Sequence, residues 1–540
     1  MGRHRQMRPD DWFLTADERG NPDTDLDRSH PGHAAWTEGN TVRPLVHGRD
    51  YFERLHECLQ ELEAGDLVMF ADWRGDADEP LAGPGTEIGR VFRELARRGV
   101  DVRGLVWRSH PDQGDFSEQE NLHLGAVVKE AGGEVLLDER VRRGGCHHQK
   151  LVVLRHRSRP ERDVAFAGGV DLCHGRGDDD RHRGDPRAIR IDPRYGDRPP
   201  WHDIQLEVRG PAVADLERTF RERWVDPTPL DHRSPLRARL ARLARQPPPA
   251  ARELPPSGPV PPDGGPHTVQ VLRTYPAKRP PYPFASRGER SVARAYRKAL
   301  ARARSLIYIE DQYLWSEEVA AALAAALSAA PKLRLIAVVP RYPDRDGRMS
   351  GPPNRIGQER AMEVVRKAGG DRVAVYDLEN EEGVPIYVHA KLCVVDDVWC
   401  AVGSDNLNRR SWTHDSEVSC AVLDDTRDGR DPVDPAGRGD EARRLPRDVR
   451  LRLWREHLGP DLEDSVLLDP VRGYEAWRER ADDLGRWHES GRRGPRPLGR
   501  VRVHRPGPVR PWAAWWALPA YRLIVDPDGR PFELRRAHEF

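Results

Sequence analysis

The sequence contains no long apolar run and no excess of charge of either sign. No stretch approaches the ~18 consecutive apolar residues of a membrane-spanning helix, so none is predicted. The 88 basic and 88 acidic residues cancel, which argues against a protein that mainly binds nucleic acid through a positive surface. The N-terminus has basic residues without the apolar segment of a secretory signal. We therefore expect a cytoplasmic protein whose attraction for anions is confined to one local site.

Motifs for metals and disulfides are also missing. The chain has no HExxH motif and no cluster of paired carboxylates at ligand spacing. The cysteines form no CxxC pair, and three of them fall in apolar runs typical of core strands; they are Cys58, Cys146, Cys173, Cys393, Cys400 and Cys420. We expect reduced structural thiols, no metal ion and no cofactor.

What the sequence does contain is an alternation of helical and strand patterns that occurs twice. Between about Val42 and Val225, amphipathic stretches such as Tyr51 to Leu62 alternate with apolar runs such as Val102 to Trp107, and the alternation resumes after residue 266. This spacing indicates α/β layers. The predicted parts are an N-terminal extension (1–41), a first domain (42–226), a Pro-rich surface linker (227–266), a second domain (267–460) and a separate Arg- and Trp-rich tail (461–540).

Three sequence blocks recur in the same order in the two halves. The first is His-x-Lys followed by an apolar strand, CHHQKLVVLR and later YVHAKLCVVD. The second is an apolar strand ending in small residues, VAFAGGVDL and VWCAVGSDNL, and the third is a His-Asp block, WHDIQLEV and THDSEVSCAV. A lone His-x-Lys occurs by chance in a chain with 21 histidines. Its ordered repetition with two further blocks indicates a duplicated functional unit.

The first block supplies two histidine–lysine pairs, His148 with Lys150 and His389 with Lys391. Residues i and i+2 of a strand point to the same face, so each pair can enter one cleft. The chain has only seven lysines, and two of them occupy the same place in both repeats. An ammonium contacts phosphoryl oxygens as a compact point charge, which a planar guanidinium does not copy without repositioning. The pairs therefore indicate phosphoryl chemistry.

The other two blocks supply small residues and aspartates. Small residues at strand ends let the backbone approach a substrate phosphate and leave amides free to bind it. These residues are Gly168, Gly169, Gly403 and Ser404. Asp203 and Asp415, in the third block, are each predicted to accept a hydrogen bond from a histidine Nδ1–H and so fix its tautomer.

Together these residues resemble the HxKxxxxD signature of the phospholipase D superfamily, whose members join two such motifs in one site across an internal pseudo-twofold. The resemblance covers about Val42 to Gly459 and extends to segments similar to the lipid-cleaving branch, in its bacterial-type form without N-terminal lipid-binding domains. Those segments are RTYP (273–276), GERSVARAY (288–296), YIEDQYLW (308–315), GSDNLNRRSW (403–412), DSE (415–417) and LWREHLG (453–459). The resemblance implies an α/β fold of two similar α/β/α sandwich domains related by duplication, with the active site at their interface.

The resemblance also implies roles for the paired residues, without a metal. One neutral histidine attacks phosphorus to form a phosphohistidine, and the other gives its proton to the departing alcohol. We assign His148 as the nucleophile and His389 as the general acid. Lys150 and Lys391 would bind the phosphoryl oxygens as charge develops.

The positions that support the two motifs are unequal. Asp396 completes the second motif, and in the superfamily this aspartate supports the motif from behind. The first motif has Arg155 at that position, so a neighbouring acid such as Asp163 is a candidate substitute. The remaining residues expected to line the substrate pocket are Asp171, Asn406 and Glu417.

The flanking segments favour hydrolysis or transphosphatidylation of glycerophospholipids by a monomer at a membrane surface. Three alternatives stay open: a cardiolipin-synthase-like phosphatidyltransferase, a nuclease of the same superfamily, and a lipid-binding relative weakened by Arg155. In the tail, arginines precede Trp512, Trp515 and Trp516, which are expected either to contact the membrane or to dock on the enzyme body. A β-like end is predicted for Arg522 to Glu533.

Overall fold

The computed structural model describes residues 7–108, 118–230, 251–314, 316–344, 351–507 and 511–540. The first half of the described chain forms one sheet, and its strands are largely apolar runs buried on both faces, as in sheets covered by helices on each side. The strands of this half are β1 (Thr37–Leu45), β2 (Leu67–Asp72), β3 (Asp101–Trp107), β4 (Glu134–Asp138), β5 (Leu151–Arg155), β6 (Val164–Gly168), β7 (Trp201–His202) and β8 (Gln205–Arg209).

The second half builds a second sheet from the same kind of strand. Its strands are β9 (His267–Tyr275), β10 (Glu289–Arg290), β11 (Leu306–Asp311), β12 (Arg334–Val338), β13 (Val373–Glu379), β14 (Pro385–Val388), β15 (Lys391–Val395), β16 (Trp399–Gly403), β17 (Glu417–Asp424) and β18 (Val501–Val503).

The two sheets repeat one topology strand for strand. The order in the first sheet is β1, β8, β6, β5, β2, β3, β4. The order in the second is β9, β17, β16, β15, β11, β12, β13. In each sheet the last three strands are parallel and the others antiparallel. The predicted duplication is confirmed, and β1 joins the two sheets because it pairs with both β8 and β9.

Helices cover both faces of each sheet, which confirms the predicted α/β/α domains. One apolar cluster packs on the outer face of each sheet, and a third lies on the inner faces of both sheets and so belongs to both domains. The helices are α1 (Pro9–Trp12), α2 (Ala16–Arg19), α3 (Gly48–Gln60), α4 (Ile88–Arg97), α5 (Glu118–Glu130), α6 (Ala212–Trp224), α7 (Ser291–Arg302), α8 (Glu317–Ala329), α9 (Gly351–Gly369), α10 (Arg409–Thr413), α11 (Arg444–Leu458), α12 (Asp464–Leu468), α13 (Pro470–Glu489), α14 (Pro511–Ala520) and α15 (Phe532–Ala537). Within the described ranges no helix is long and apolar enough to cross a membrane.

The predicted separate tail is wrong, because the segment after Gly459 is part of the second domain. Trp477 of α13 is fully buried and packs against Tyr376 and Trp454, at ring-centroid distances of 5.2 and 5.9 Å. The strand β18 extends the second sheet by pairing with β13. The Arg- and Gly-rich composition hid these elements, since it reflects the solvent-facing side chains of the segment rather than its buried ones.

Three smaller expectations also change. The β-like end predicted at Arg522 to Glu533 is wrong, because residues 521–525 form a π-helical turn and α15 begins at Phe532. The N-terminal extension runs into β1, and its helices α1 and α2 pack on α7. Residues 231–250 of the predicted linker lie outside the described residues, as does Trp315. The later part of the linker is not a simple surface spacer, because Leu254 is buried in the shared core.

Asp396 ties two strands of the second sheet together. Its carboxylate accepts the backbone N–H groups of Arg304, Ser305 and Leu306 at 2.7, 2.8 and 2.8 Å, which fixes the start of β11 beside the end of β15. It therefore lies behind the strand that carries Lys391. Burial raises the pKa of Asp396 to about 6, although these backbone N–H groups oppose the rise.

In the first domain, the corresponding strands β2 and β5 are also linked by an aspartate, but this aspartate lies next to β2 rather than next to β5. Asp66, just before β2, accepts the backbone N–H of Arg157, just after β5, at 2.9 Å. Asp163 does not take the place of the missing aspartate, contrary to the expectation above. It pairs with Arg155 at 3.1 Å, and Arg155 also pairs with Glu217 at 3.2 Å. Arg155 is thus a buried structural cation.

We expect Arg155→Ala to destabilise the first domain, because it leaves Asp163 as a buried acid without its arginine and removes one of the two arginines that pair with Glu217. Breaking a buried pair in this way costs ~3–5 kcal/mol. The midpoint of thermal unfolding, measured by circular dichroism, should fall by several degrees. Arg157→Ala is the matched control, since this exposed side chain can be removed without its backbone N–H. Equal midpoints for Arg155→Ala and wild type would contradict the structural role.

Candidate active site

A cavity of about 610 Å³ opens where the two domains meet, and both paired histidines line it. His148 comes from the segment before β5, and His389 from the segment between β14 and β15. Of the predicted pocket residues, Asp171 and Asn406 also line the cavity, as does the predicted orienting acid Asp415, whereas Glu417 does not line it. The structure therefore brings both sequence repeats to one site.

Each histidine is held by the backbone of the other domain. The N–H of His148 donates to the carbonyl of Ser416 at 2.9 Å, and the N–H of His389 donates to the carbonyl of His202 at 2.8 Å. The short strand β7 runs parallel to β14 and carries this contact across the interface. The geometry of the site consequently depends on how the two domains are joined.

The carboxylate that orients each histidine also comes from the other domain. His389 Nδ1 lies 2.7 Å from Asp203 Oδ2, and His148 Nδ1 lies 3.0 Å from Glu417 Oε2. Both acids are fully buried. With each Nδ1–H donated to a carboxylate, each Nε2 is left to face a substrate. We call these two contacts the crossed histidine–carboxylate pairs.

Asp415 was predicted as the partner of His148, and this is wrong. Its carboxylate accepts the N–H of Cys146 at 2.9 Å and pairs with Arg410 at 2.6 Å. The sheet registers explain the error. Gly168 faces Gln205 in the first sheet and Gly403 faces Ser419 in the second, so Asp203 corresponds to Glu417 rather than to Asp415. Aligning the two His-Asp blocks shifts the second repeat by two residues.

The two lysines lie fully buried behind the histidines. Lys150 Nζ is 3.3 Å from Asp171 Oδ1, and Lys391 Nζ donates to Gln312 Oε1 at 3.3 Å. Each lysine also donates to the main-chain carbonyl of the histidine two residues before it. Burial and the nearby Lys150 ammonium lower the pKa of Lys391 to about 8, although Asp203 opposes the shift.

The small residues of the second block do not line the cavity. A Cβ on Gly169 would lie 2.0 Å from Asp203 Oδ1, and a Cβ on Gly403 would lie 1.8 Å from Ser419 Oγ. Gly168 similarly faces Gln205, and the Ser404 hydroxyl donates to Glu417. These residues make room for, or bind, the strand that carries the orienting carboxylates. The expectation that they approach a phosphate directly is therefore wrong.

Both histidines are neutral at neutral pH in the free protein. Burial, together with Lys150 and Lys391, lowers the pKa of His148 well below its usual range. Burial and Lys391 lower the pKa of His389 to about 3 in spite of Asp203.

The two orienting carboxylates differ in charge. Burial alone would raise the pKa of Asp203, but His389 and Lys391 outweigh burial and lower it. Burial raises the pKa of Glu417 to about 8, although the hydrogen bond with Ser404 opposes the rise. Near neutral pH His389 therefore has an ionised partner and His148 a largely protonated one.

Arg176, an arginine that no sequence pattern marked, also lines the cavity. It lies in the irregular segment between β6 and β7, and its guanidinium stacks 4.0 Å above the Trp201 ring. Its Nε and Nη1 atoms are buried without a hydrogen-bond partner among the described residues. No repeat or motif marks this position. Two imidazoles and the Arg176 guanidinium thus line the cavity, with the two ammonium groups buried behind the imidazoles, an arrangement that suits a phosphoryl anion.

Comparison with known proteins agrees with this geometry. The family model "Phospholipase D" matches residues 64–251, and the model "Cardiolipin synthase, PLD-like domain" matches residues 296–428. The chain is 26% identical to phospholipase D alpha 1 of Oryza sativa subsp. japonica over 560 residues and 26% identical to phospholipase D alpha 2 of Arabidopsis thaliana over 559. Each alignment covers 79% of this chain and 66% of the relative, slightly less than two thirds of that protein.

Among solved structures, the phosphatidylserine synthase of Haemophilus influenzae Rd KW20 is similar with a TM-score of 0.47 and 15% identity, covering 71% of this chain and 82% of that one. Each of the two family models matches the domain that carries one histidine–lysine pair. The chain belongs to the phospholipase D superfamily.

Proposed function

We propose that this protein is a phospholipase D-type enzyme that cleaves the distal phosphodiester bond of glycerophospholipids, giving phosphatidic acid and the headgroup alcohol. The observation that carries the proposal is that two histidines line one cavity, each with its crossed carboxylate contact and a buried lysine behind it. Such an arrangement suits a two-step displacement at phosphorus, in which one imidazole attacks and the other transfers the proton.

In the first step the Nε2 lone pair of His148 attacks phosphorus, and the bond from phosphorus to the headgroup oxygen breaks. His389 gives its Nε2 proton to that oxygen, so a phosphatidyl–His148 intermediate and a free alcohol form. In the second step neutral His389 removes a proton from water, whose oxygen attacks phosphorus. His148 then leaves as a neutral imidazole, and His389 is protonated again.

The unlike carboxylates support this assignment of roles. An ionised Asp203 stabilises a positive charge on His389, and the anionic phosphodiester adds to this effect when it binds. His389 therefore takes up a proton in the complex. A largely protonated Glu417 gives His148 no such stabilisation, so His148 stays neutral and nucleophilic.

The cations of the site can stabilise the developing charge on the phosphoryl oxygens. Lys150 and Lys391 lie fully buried, where an electrostatic interaction is stronger than in water. Arg176 adds a guanidinium whose partner-free N–H groups are buried beside the cavity. We propose that these three groups replace a metal ion in the reaction.

An apolar surface at the cavity mouth supports a lipid substrate. Ile524 and Val525 line the cavity, and the neighbouring residues expose large apolar side chains. We call the exposed set the apolar apron; it consists of Trp512, Trp515, Leu523, Ile524 and Phe532, with exposures between 63% and 77%. Trp516 instead packs against the body of the protein. Trp512 and Trp515 lie on α14, which leads directly into the cavity-lining Ile524, and Trp side chains favour a membrane interface; both points support peripheral binding of the enzyme.

Phosphatidyl transfer is the second candidate function. The match of residues 296–428 to a cardiolipin synthase model favours it, and it needs only an alcohol in place of water in the second step. A nuclease is disfavoured by the balanced charge of the chain and by the apolar apron, since nucleic acid binding needs a positive groove.

The lipid proposal predicts that the apolar apron matters for vesicles and not for soluble substrate. Removing both exposed rings in Trp512→Ala/Trp515→Ala should lower choline release from phosphatidylcholine vesicles at least tenfold. Each ring withdrawn from a lipid interface costs roughly 1.5–3 kcal/mol when its burial is complete. Turnover of monomeric short-chain phosphatidylcholine should stay within twofold of wild type.

The matched control is Leu122→Ala/Val225→Ala, which removes two exposed apolar side chains elsewhere, at 46% and 68% exposure. It should behave as wild type on both substrates. Adding glycerol to the vesicle assay separates transfer from hydrolysis by the phosphatidylglycerol formed. Cleavage of single-stranded DNA without release of any phospholipid headgroup would contradict the lipid proposal.

The pH profile should fall on the alkaline side because Lys391 must stay charged. Its pKa of about 8 means that the ammonium is lost as the pH rises through 8. The value of kcat/KM on soluble substrate should therefore drop roughly tenfold per unit above pH 8, since this ratio reports the free enzyme. The bound phosphate anion raises the pKa of the lysine, so kcat should fall only at higher pH. A kcat/KM that stays constant to pH 10, with unchanged circular dichroism, would contradict this role.

A further inference from the structure

A second group of ionisable side chains lies behind the active site and takes no part in the proposed reaction. Its members are His47, His182, His202 and Glu456, and one donor atom from each lies within 4.8 Å of all the others. The three histidines are at most 1% exposed. We call this group the histidine cluster.

The hydrogen bond of His182 fixes which of its nitrogens carries the proton. Its Nδ1 lies 3.1 Å from the carbonyl oxygen of Trp201, which can only accept, so Nδ1 carries the hydrogen. The Nε2 lone pair then points at Glu456 Oε1, at 2.9 Å. In the neutral ring this places two acceptors in contact.

In its neutral form, His202 presents a lone pair to the same point. Its Nε2 lies 2.6 Å from Glu310 Oε2, and Glu310 is also held by His457 at 2.7 Å. The Nδ1 of His202 is buried without a hydrogen-bond partner among the described residues and lies 3.7 Å from Glu456 Oε1. A histidine that donates one nitrogen to a carboxylate and presents the other inward is the usual arrangement of a metal ligand.

His47 completes the ring of donors. Its Nε2 is 3.1 Å from both oxygens of Glu456, and its ring centroid is 4.6 Å from that of His182 and 4.8 Å from that of His202. Three imidazoles and a carboxylate therefore converge in the interior. Electron pairs that face one another there repel, unless a cation lies between them.

We propose that the histidine cluster is a structural zinc site with His47, His182, His202 and Glu456 as its four ligands. Imidazole nitrogen with one carboxylate oxygen suits zinc, which prefers four tetrahedral ligands. Bond lengths of ~2.0–2.1 Å require donors about 3.3 Å apart. The separations from Glu456 to the three histidines, between 2.9 and 3.7 Å, bracket that value.

The site would join segments that are distant in sequence. His47 precedes α3, His182 lies in the irregular segment before β7, His202 ends β7, and Glu456 lies in α11. The carbonyl of His202 accepts the N–H of His389, and the next residue is Asp203. Zinc here would hold the part of the interface that orients one histidine of the active site. This role does not depend on which phosphodiester the enzyme cleaves.

The test measures metal in the full-length protein, purified without chelator, by plasma mass spectrometry. We expect about one zinc per chain in wild type and less than a tenth of that in His182→Ala and in Glu456→Ala. His488→Ala is the matched control, because this histidine also binds a buried glutamate, Glu379, outside the cluster. It should keep its zinc. Thermal unfolding should occur at a lower temperature in the zinc-free variants.

A second measurement uses wild type alone, so it does not depend on how the variants fold. Zinc is removed with dipicolinate, and Co²⁺ is then titrated into the protein. Visible absorption of tetrahedral Co²⁺, saturating at one ion per chain and abolished by Zn²⁺, would support the site. Folded wild type that contains no zinc and takes up neither ion would overturn the proposal, and hydrogen bonds among protonated histidines would then explain the cluster.

The metal result is separable from the proposed reaction. Loss of zinc should change the unfolding temperature together with turnover. Loss of turnover in chelator at an unchanged unfolding temperature would instead indicate a metal at the phosphodiester site, contrary to the proposed mechanism.

Discussion

The exchange of carboxylates between the two domains is the constraint on which the rest of the site depends. Neither domain carries a complete catalytic unit, because Asp203 orients His389 and Glu417 orients His148 across the interface. The shared apolar core and the joining strand β1 hold the two sheets in the register that these contacts need. Duplication alone would have produced two equal half-sites. The exchanged contacts make one site with two distinguishable histidines.

The two half-sites have the same fold but differ in the charge of their orienting carboxylates, and the proposed reaction depends on this difference. Asp203 is ionised and Glu417 is largely protonated near neutral pH, so the two imidazoles can hold different protonation states once an anion binds. The two domains also differ behind these strands. Asp396, at the end of β15, binds the backbone at the start of β11, whereas in the first domain Asp66, before β2, binds the backbone after β5. Arg155 is therefore compatible with a functional first half-site, since its position carries a structural ion pair.

Much of the fold could be predicted, because strands that are buried on both faces leave continuous apolar runs in the sequence. The two histidine–lysine pairs could be predicted because both halves of the chain carry the same blocks in the same order. The carboxylate that orients His148 could not be predicted in this way. The register of the two sheets makes Glu417 equivalent to Asp203, whereas the repeated His-Asp sequence aligns Asp203 with a different residue. Arg176 and the histidine cluster come from irregular segments and distant elements, which no local pattern joins. The absence of metal motifs in the sequence likewise says nothing about ligands assembled by folding.

A single site shared by both domains can be tested by single-turnover trapping with phospholipid radiolabelled at phosphorus, quenched in alkali, where phosphohistidine survives. We expect label on His148 alone in wild type, no label in His148→Ala, and no steady-state turnover in either His148→Ala or His389→Ala. Label on another residue, or a single variant that turns over at the wild-type rate, would contradict one shared site built from both domains.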